Sequence, residues 1–204
     1  MRKLKASYIK YYFVYIWQMK NIAIFASGEG TNAQNIIDYF KFSDKIKVKV
    51  IVSNNPQANV LNRAKKEGIP AMLINRDSFY NSNNAVEQLR ELQIDAIILA
   101  GFLWLLPENL IAAFPQKIIN IHPALLPRFG GKGMYGMKVH EAVIREKEKE
   151  SGISIHYVNN EYDKGEIISQ HKCAVELSDT PQTLAHKIHA LEKQFFPKII
   201  ERTL

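Results

Sequence analysis

From Met19 onward, short apolar runs alternate with amphipathic stretches, and this alternation constrains the fold more than any other feature of the chain. The runs are 21–26 (NIAIFA), 46–52 (IKVKVIV), 70–74 (PAMLI), 95–100 (DAIILA) and 117–121 (KIINI). Helix-like stretches at about 31–41, 57–67, 82–92 and 107–113 separate them. A run such as AIILA has no polar alternate, which suits a strand buried on both faces. Strand–helix–strand alternation of this kind predicts an α/β chain with an open, doubly wound, mostly parallel sheet. After Pro127 the pattern changes. A Gly-rich stretch, 130–136, leads into a charged helix around 137–149. Two late strands follow at about 152–158 and 166–176, expected to be antiparallel, and ISIHYV in the first of them alternates. A last helix starts at Thr180-Pro181, with Thr180 as N-cap and Pro181 in the first turn.

A chain of 204 residues fits one domain. No repeat, low-complexity tract or long linker divides 19–204, so those residues are expected to form a single domain. The lone cysteine, Cys173, excludes an internal disulfide framework. The net charge of +7 suggests an anionic partner. Residues 1–18, however, carry Arg2, Lys3, Lys5 and Lys10 without any acid, and the remainder holds 23 basic and 20 acidic residues. Small anionic ligands are therefore expected, and no nucleic acid. Residues 1–18 read as an extension foreign to the domain that opens at Met19. Their aromatic stretch 8–17 is too short to span a membrane, lacks a small-residue cleavage site, and is interrupted by Lys10. A weak interfacial anchor and an added edge strand are the alternatives. No other segment suggests a membrane, so the expected location is cytoplasmic.

Gly28-Glu29-Gly30-Thr31-Asn32-Ala33 follows a strand and opens a helix, formally matching the G-x-G-x-x-[GA] dinucleotide pattern. Against a dinucleotide, the second strand ends in Ser53-Asn54-Asn55, where a ribose-binding acid would stand. What survives is a helix start with free N–H groups and a positive dipole end, suited to one phosphate. A tight turn without a ligand is the plainer alternative.

The most informative stretch is Lys117-Ile118-Ile119-Asn120-Ile121-His122-Pro123. Asn120 and His122 are two apart on a strand and project from one face. Pro123 ends the ladder and leaves both at the carboxyl end, where open α/β sheets bind ligands. An amide beside an imidazole supplies what a developing oxyanion needs, and the imidazole can also move a proton. Both residues satisfying loop backbone is the alternative. An acid between the two late strands can complete such a site, and Glu161, Asp163 and Glu166 are all candidates. No metal constellation is present: the six histidines are scattered, and His186 and His189 read as one helix face. Cys173 reads as packing. The run Leu99-Ala100-Gly101-Phe102-Leu103-Trp104-Leu105-Leu106 continues apolar past Gly101, as a pocket wall for a flat ring or as core.

Taken in order and spacing, FASGEGTNAQNII, LAGFLWLLP, INIHPALLPRFGGKGMYG and HYVNNEYDKGEII resemble the phosphoribosylglycinamide formyltransferase family of folate-dependent enzymes. The resemblance covers 19–204, and residues 1–18 have no counterpart in it. It implies the formyltransferase fold and catalytic roles for Asn120, His122 and Asp163, which selects among the three acids. It further implies a substrate phosphate on Gly30, Thr31 and Asn32, and a ribose held by Glu192. The pterin of the co-substrate 10-formyltetrahydrofolate would lie against Leu103, Trp104, Leu105 and Leu106, with Asn120 and the 160–163 backbone. Two departures stand out: Trp104 occupies a position that is basic in some relatives, and the region near Ser82 offers no basic side chain. No metal is implied. The oligomeric state is left open between monomer and homodimer.

The resemblance implies direct attack of a glycyl amine on the formyl carbon. Asn120 and the His122 imidazolium would stabilise the oxyanion, and Asp163 would raise the His122 pKa and assist proton transfer. Methionyl-tRNA formyltransferase shares N-x-H and D-x-G but adds a C-terminal barrel, and the hydrolase relative adds a domain in front. A non-catalytic nucleotide- or folate-binding module is the alternative from another class.

Overall fold

A computed structural model describes residues 19–204; the extension expected over residues 1–18 lies outside the described residues. In chain order the elements are β1 (Lys20–Phe25), α1 (Thr31–Phe40), β2 (Ile46–Ser53), α2 (Asn59–Lys66), β3 (Ala71–Leu73), α3 (Arg76–Asn81) and α4 (Asn84–Glu91). After these come β4 (Ala96–Leu99), α5 (Glu108–Ala113), β5 (Ile118–His122), α6 (Met137–Arg145), β6 (Glu150–Tyr157), β7 (Ile167–Ala174) and α7 (Pro181–Thr203). All seven strands join one sheet of order β3-β2-β1-β4-β5-β6-β7. The first five are parallel, while β6 is antiparallel to both β5 and β7. The mostly parallel sheet with late antiparallel strands is thus observed.

The apolar runs become the central strands because both of their faces are covered. Every residue of β4 is buried, as is β1 from Ile22 to Phe25. On one face Ile22, Ile24, Ile98, Ile119, Ile121, Ile153 and Ile155 pack against α1 and α7. On the other, Ala23, Phe25, Ile97, Leu99 and Ile118 pack with Phe79, Leu89 and Leu110 of α3, α4 and α5. This second cluster contains no residue of β6 or β7.

One element differs from the sequence expectation. Helix α3 was not anticipated. Its six residues are too few for an apolar period, and it depends on Asn75, whose side chain accepts from the Ser78 amide, and on Phe79 as its buried anchor. The alternating ISIHYV forms a strand as expected, and its polar alternates Ser154 and His156 are buried. Ser154 Oγ donates to the Ala124 carbonyl and accepts from the Leu126 amide, so the polar face of β6 is covered by loops. The last helix starts as expected, with a capping box between Thr180 and Thr183 and Pro181 in its first turn.

Candidate active site

Strand β1 is flanked by β2 on one side and β4 on the other, so the chain leaves β1 and β4 in opposite directions and opens a crevice at their carboxyl ends. A cavity of about 600 Å³ occupies this position. It is lined by the Gly28–Asn32 loop, the 99–106 segment, Asn120 and His122, the 131–136 loop, Asp163 and Glu192. Every residue given a catalytic or binding role by the family resemblance therefore reaches one cavity, and of the three candidate acids Glu161 and Asp163 do so.

At the centre, Asn120 pairs with Leu99 on one side and His156 on the other, and His122 pairs with Ser154. Asn120, His122, Ser154 and His156 thus share one face. The Asn120 amide nitrogen lies 3.1 Å from His156 Nε2 and 3.5 Å from Asp163 Oδ1. His156 Nδ1 lies 2.7 Å from the Tyr157 carbonyl, which can only accept, so Nδ1 carries the proton and Nε2 accepts from Asn120. That bond fixes the orientation of the Asn120 amide and leaves its second N–H toward the carboxylate side. His122 Nε2 donates to the Phe129 carbonyl at 2.7 Å, and Nδ1 faces Asp163 Oδ2 at 3.5 Å.

The D-x-G motif has a local reason. Asp163 holds a positive φ of 56°, a conformation that costs a non-glycine residue on the order of 1–3 kcal/mol and needs surrounding support. The Gly131 amide donates to Oδ2 at 2.8 Å. Two residues on, a Cβ at Gly165 would lie 1.7 Å from the Tyr157 carbonyl oxygen, so only glycine lets the loop lie this close to β6. Glu161, half of a surface ion pair with Lys164, also touches the cavity. Glu166 does not line it; its carbonyl accepts from the Tyr157 amide.

Burial lowers the His122 pKa on balance; the charge of Asp163 raises it, as expected, and the Phe129 hydrogen bond acts the same way, but His156 adds to the fall and burial outweighs both, so the imidazolium expected at rest is not favoured. The site therefore holds a neutral imidazole at rest. For Asp163 burial acts upward, but His156, His122 and the Gly131 amide together bring the carboxyl below its ordinary value.

At the other end of the cavity, α1 starts at Gly30 in the left-handed conformation, with no side chain capping it. A Cβ there would lie 2.5 Å from Val60 Cγ2. The uncapped amides of the first turn are available to an anion. Asn32 is not free for that anion alone, because its amide donates to Glu192 Oε2 at 2.9 Å. Burial pushes Glu192 up to about 7, with the Asn32 bond opposing. Ser53 and Asn55, where a dinucleotide site would carry an acid, tie their own loop and the Ser27 carbonyl instead.

Along the 99–106 wall, Leu103 is exposed, Trp104 and Leu105 are half-buried, and Leu106 is buried in the second core cluster. The Trp104 ring is packed on Phe79 and Tyr80, with centroids 5.7 and 6.0 Å away. The Arg76 guanidinium lies 5.7 Å from both the Tyr80 and Trp104 centroids. A basic side chain is thus present in this region after all, on the helix that sequence reading missed. His140, His156 and His189 also line the cavity without having been anticipated there. The one available signal was for His156, a polar residue in an alternating strand. Among the described residues, no three or more His, Cys, Asp or Glu side chains are grouped to hold a metal ion.

The fold is that of the formyl transferase family, and the chain belongs to it: residues 20–200 match the family model described as formyl transferase. More particularly, it is similar to phosphoribosylglycinamide formyltransferases. The chloroplastic enzyme of that name from Arabidopsis thaliana is 37% identical over 187 residues, 89% of this chain and 64% of the relative. The chain thus spans just under two thirds of the length of that plant relative. The Bacillus subtilis (strain 168) relative is 36% identical over 191 residues, 91% of this chain and 95% of the relative. The crystal structure of the phosphoribosylglycinamide formyltransferase from Bacillus halodurans superposes with a TM-score of 0.80 at 38% identity, covering 90% of this chain and 94% of that one.

Proposed function

We propose that residues 19–204 act as one catalytic unit. The unit transfers the formyl group of 10-formyltetrahydrofolate to the amine of N1-(5-phospho-D-ribosyl)glycinamide, giving the N-formyl ribonucleotide and tetrahydrofolate in de novo purine (IMP) biosynthesis. The observation that carries this reading is the convergence of Asn120, His122 and Asp163 beside an uncapped helix start in one cavity.

The ribonucleotide phosphate rests on the Gly30, Thr31 and Asn32 backbone, and Glu192 accepts from the ribose hydroxyls. The pterin lies against Leu103, Trp104 and Leu105, and the cationic Arg76 suits the carboxylates of the folate tail. Leu106 supports this wall from the core. The amine attacks the formyl carbon, and the carbonyl electron pair moves to oxygen. The second Asn120 N–H donates to that oxyanion. His122 Nδ1, neutral at rest, takes the amine proton with Asp163 Oδ2 beside it. The resulting imidazolium is held between the carboxylate and the Phe129 carbonyl. Collapse of the oxyanion breaks the bond to N10, which receives the proton. No covalent enzyme intermediate is required, and orientation of two bound substrates supplies much of the rate.

No metal takes part, and the partners are these small molecules, without nucleic acid or a membrane; among the described residues no helix is long and apolar enough to cross one. The chain works in the cytoplasm as a monomer or homodimer. The deciding experiment is formyl transfer from 10-formyltetrahydrofolate to glycinamide ribonucleotide, with methionyl-tRNA and water as control acceptors. Transfer to the ribonucleotide alone is expected. Transfer to the tRNA, or hydrolysis only, overturns the assignment.

A further inference from the structure

The cavity wall carries a third imidazole beside those already assigned. His140 on α6 is 2% exposed, and its Nδ1 is sealed from solvent without a hydrogen-bond partner. The same side chain lines the cavity, so Nε2 is the ring nitrogen that a bound molecule can reach. The charges it feels most are those of His122 on β5 and His189 on α7. His189 stands three residues before Glu192, on the same face of α7. His140 thus shares one cavity with the transfer centre and with the carboxylate assigned to the ribose.

The orphaned nitrogen decides the tautomer. A buried N–H without a partner is rarer than an unfilled acceptor, so the proton resides on Nε2 and points to the cavity. Burial and the two neighbouring imidazoles push His140 down to about 4, so the ring is an uncharged donor at neutral pH. An uncharged donor matches an uncharged acceptor. Between the ribose and the amine of the ribonucleotide there is one, the amide carbonyl. We propose that His140 is a specificity-determining residue that donates from Nε2 to the amide carbonyl of the acceptor substrate and so aims the glycyl amine at the formyl carbon. This rests on the function proposed above. A histidine kept for packing would pair its nitrogens within the fold, and a leucine would fill the space with none left unpaired.

The test compares His140→Leu and His140→Gln with wild type by steady-state kinetics for both substrates. Calorimetric titrations with glycinamide ribonucleotide and with tetrahydrofolate accompany the kinetics. The leucine variant is expected to raise the ribonucleotide KM and Kd by about tenfold or more, leaving both folate values within about twofold. The glutamine variant, which keeps an N–H donor of similar reach, restores ribonucleotide affinity to within about threefold. Unchanged ribonucleotide affinity in the leucine variant overturns the proposal, as does a loss shared equally by both ligands, which marks a packing role. Wild-type protein that binds ribonucleotide yet transfers no formyl group refutes the function and leaves the calorimetric test intact.

Discussion

Asn120 suits the role proposed for it because His156 fixes it from the neighbouring strand. The ring acceptor takes one N–H at 3.1 Å, so the plane of the amide is set before any ligand arrives, with the other N–H toward Asp163 Oδ1 at 3.5 Å. Removing a preorganised oxyanion donor of this kind costs about 10²–10³-fold in turnover. Asn120→Ala is therefore expected to lower kcat by that factor with both KM values little changed, as steady-state kinetics will read. Glu192 illustrates the opposite bargain. Its carboxyl, raised from 4.5 to about 7 by burial, is neutral in both folded and unfolded protein below pH 4.5. Between pH 4.5 and 7 the unfolded chain ionises first, so folding loses stability as pH rises. Glu192→Gln is expected to stabilise the ligand-free protein at pH 8 by up to about 3 kcal/mol, a gain that fades toward pH 4.5. Chemical denaturation at several pH values measures it; a gain that grows as pH falls contradicts the buried-carboxyl account. At this scale Asn120 and His122 were legible because a polar pair interrupts an apolar strand just before a proline. The carboxylate was not. Glu161, Asp163 and Glu166 are equivalent by type and differ only in a loop path set by the positive φ of Asp163 and the contact at Gly165. Only family resemblance separated them. His140 was silent, since a lone histidine on a charged helix carries no pattern.

Among the elements, the start of α1 depends on one backbone conformation. Gly30 has φ 70°, and a Cβ there would meet Val60 at 2.5 Å, so Gly30→Ala must displace either the loop or α2. The displaced amides belong to the phosphate end alone. The ribonucleotide KM is expected to rise by about tenfold or more, with the KM for 10-formyltetrahydrofolate little altered. Equal damage to both would show that the two ends are not separate. The parallel strands were legible from their uninterrupted apolar runs, since burial on both faces leaves no polar alternate. Helix α3 was not, because six residues held by a side-chain cap and one buried phenylalanine carry no period to detect. Strand β6 was legible as an alternating strand, but not the environment of its polar face. Alternation reports that a face is polar, and it does not distinguish water from a buried polar site.

For the molecule as a whole, the open, mostly parallel sheet was legible from the alternation of strands and helices, whereas the strand order, which puts the crevice where β1 and β4 diverge, is known from the structure alone. The asymmetry of the two apolar layers was not legible either, because it depends on which loops cover which strands. The second layer stops short of β6 and β7. That margin of the sheet is held by packing from one side and by the polar contacts of Ser154, His156 and Asp163. The strands flanking Asp163 are thus covered by apolar packing on one face only. In rising urea, turnover is expected to vanish before the far-ultraviolet circular dichroism changes, with backbone amides of β6 and β7 exchanging hydrogen earlier than those of β1 and β4. Coincident loss of turnover and dichroism would mean that the sheet melts as one unit. A protein built this way goes silent while still largely folded, so a folded spectrum alone is no warrant that a preparation is alive.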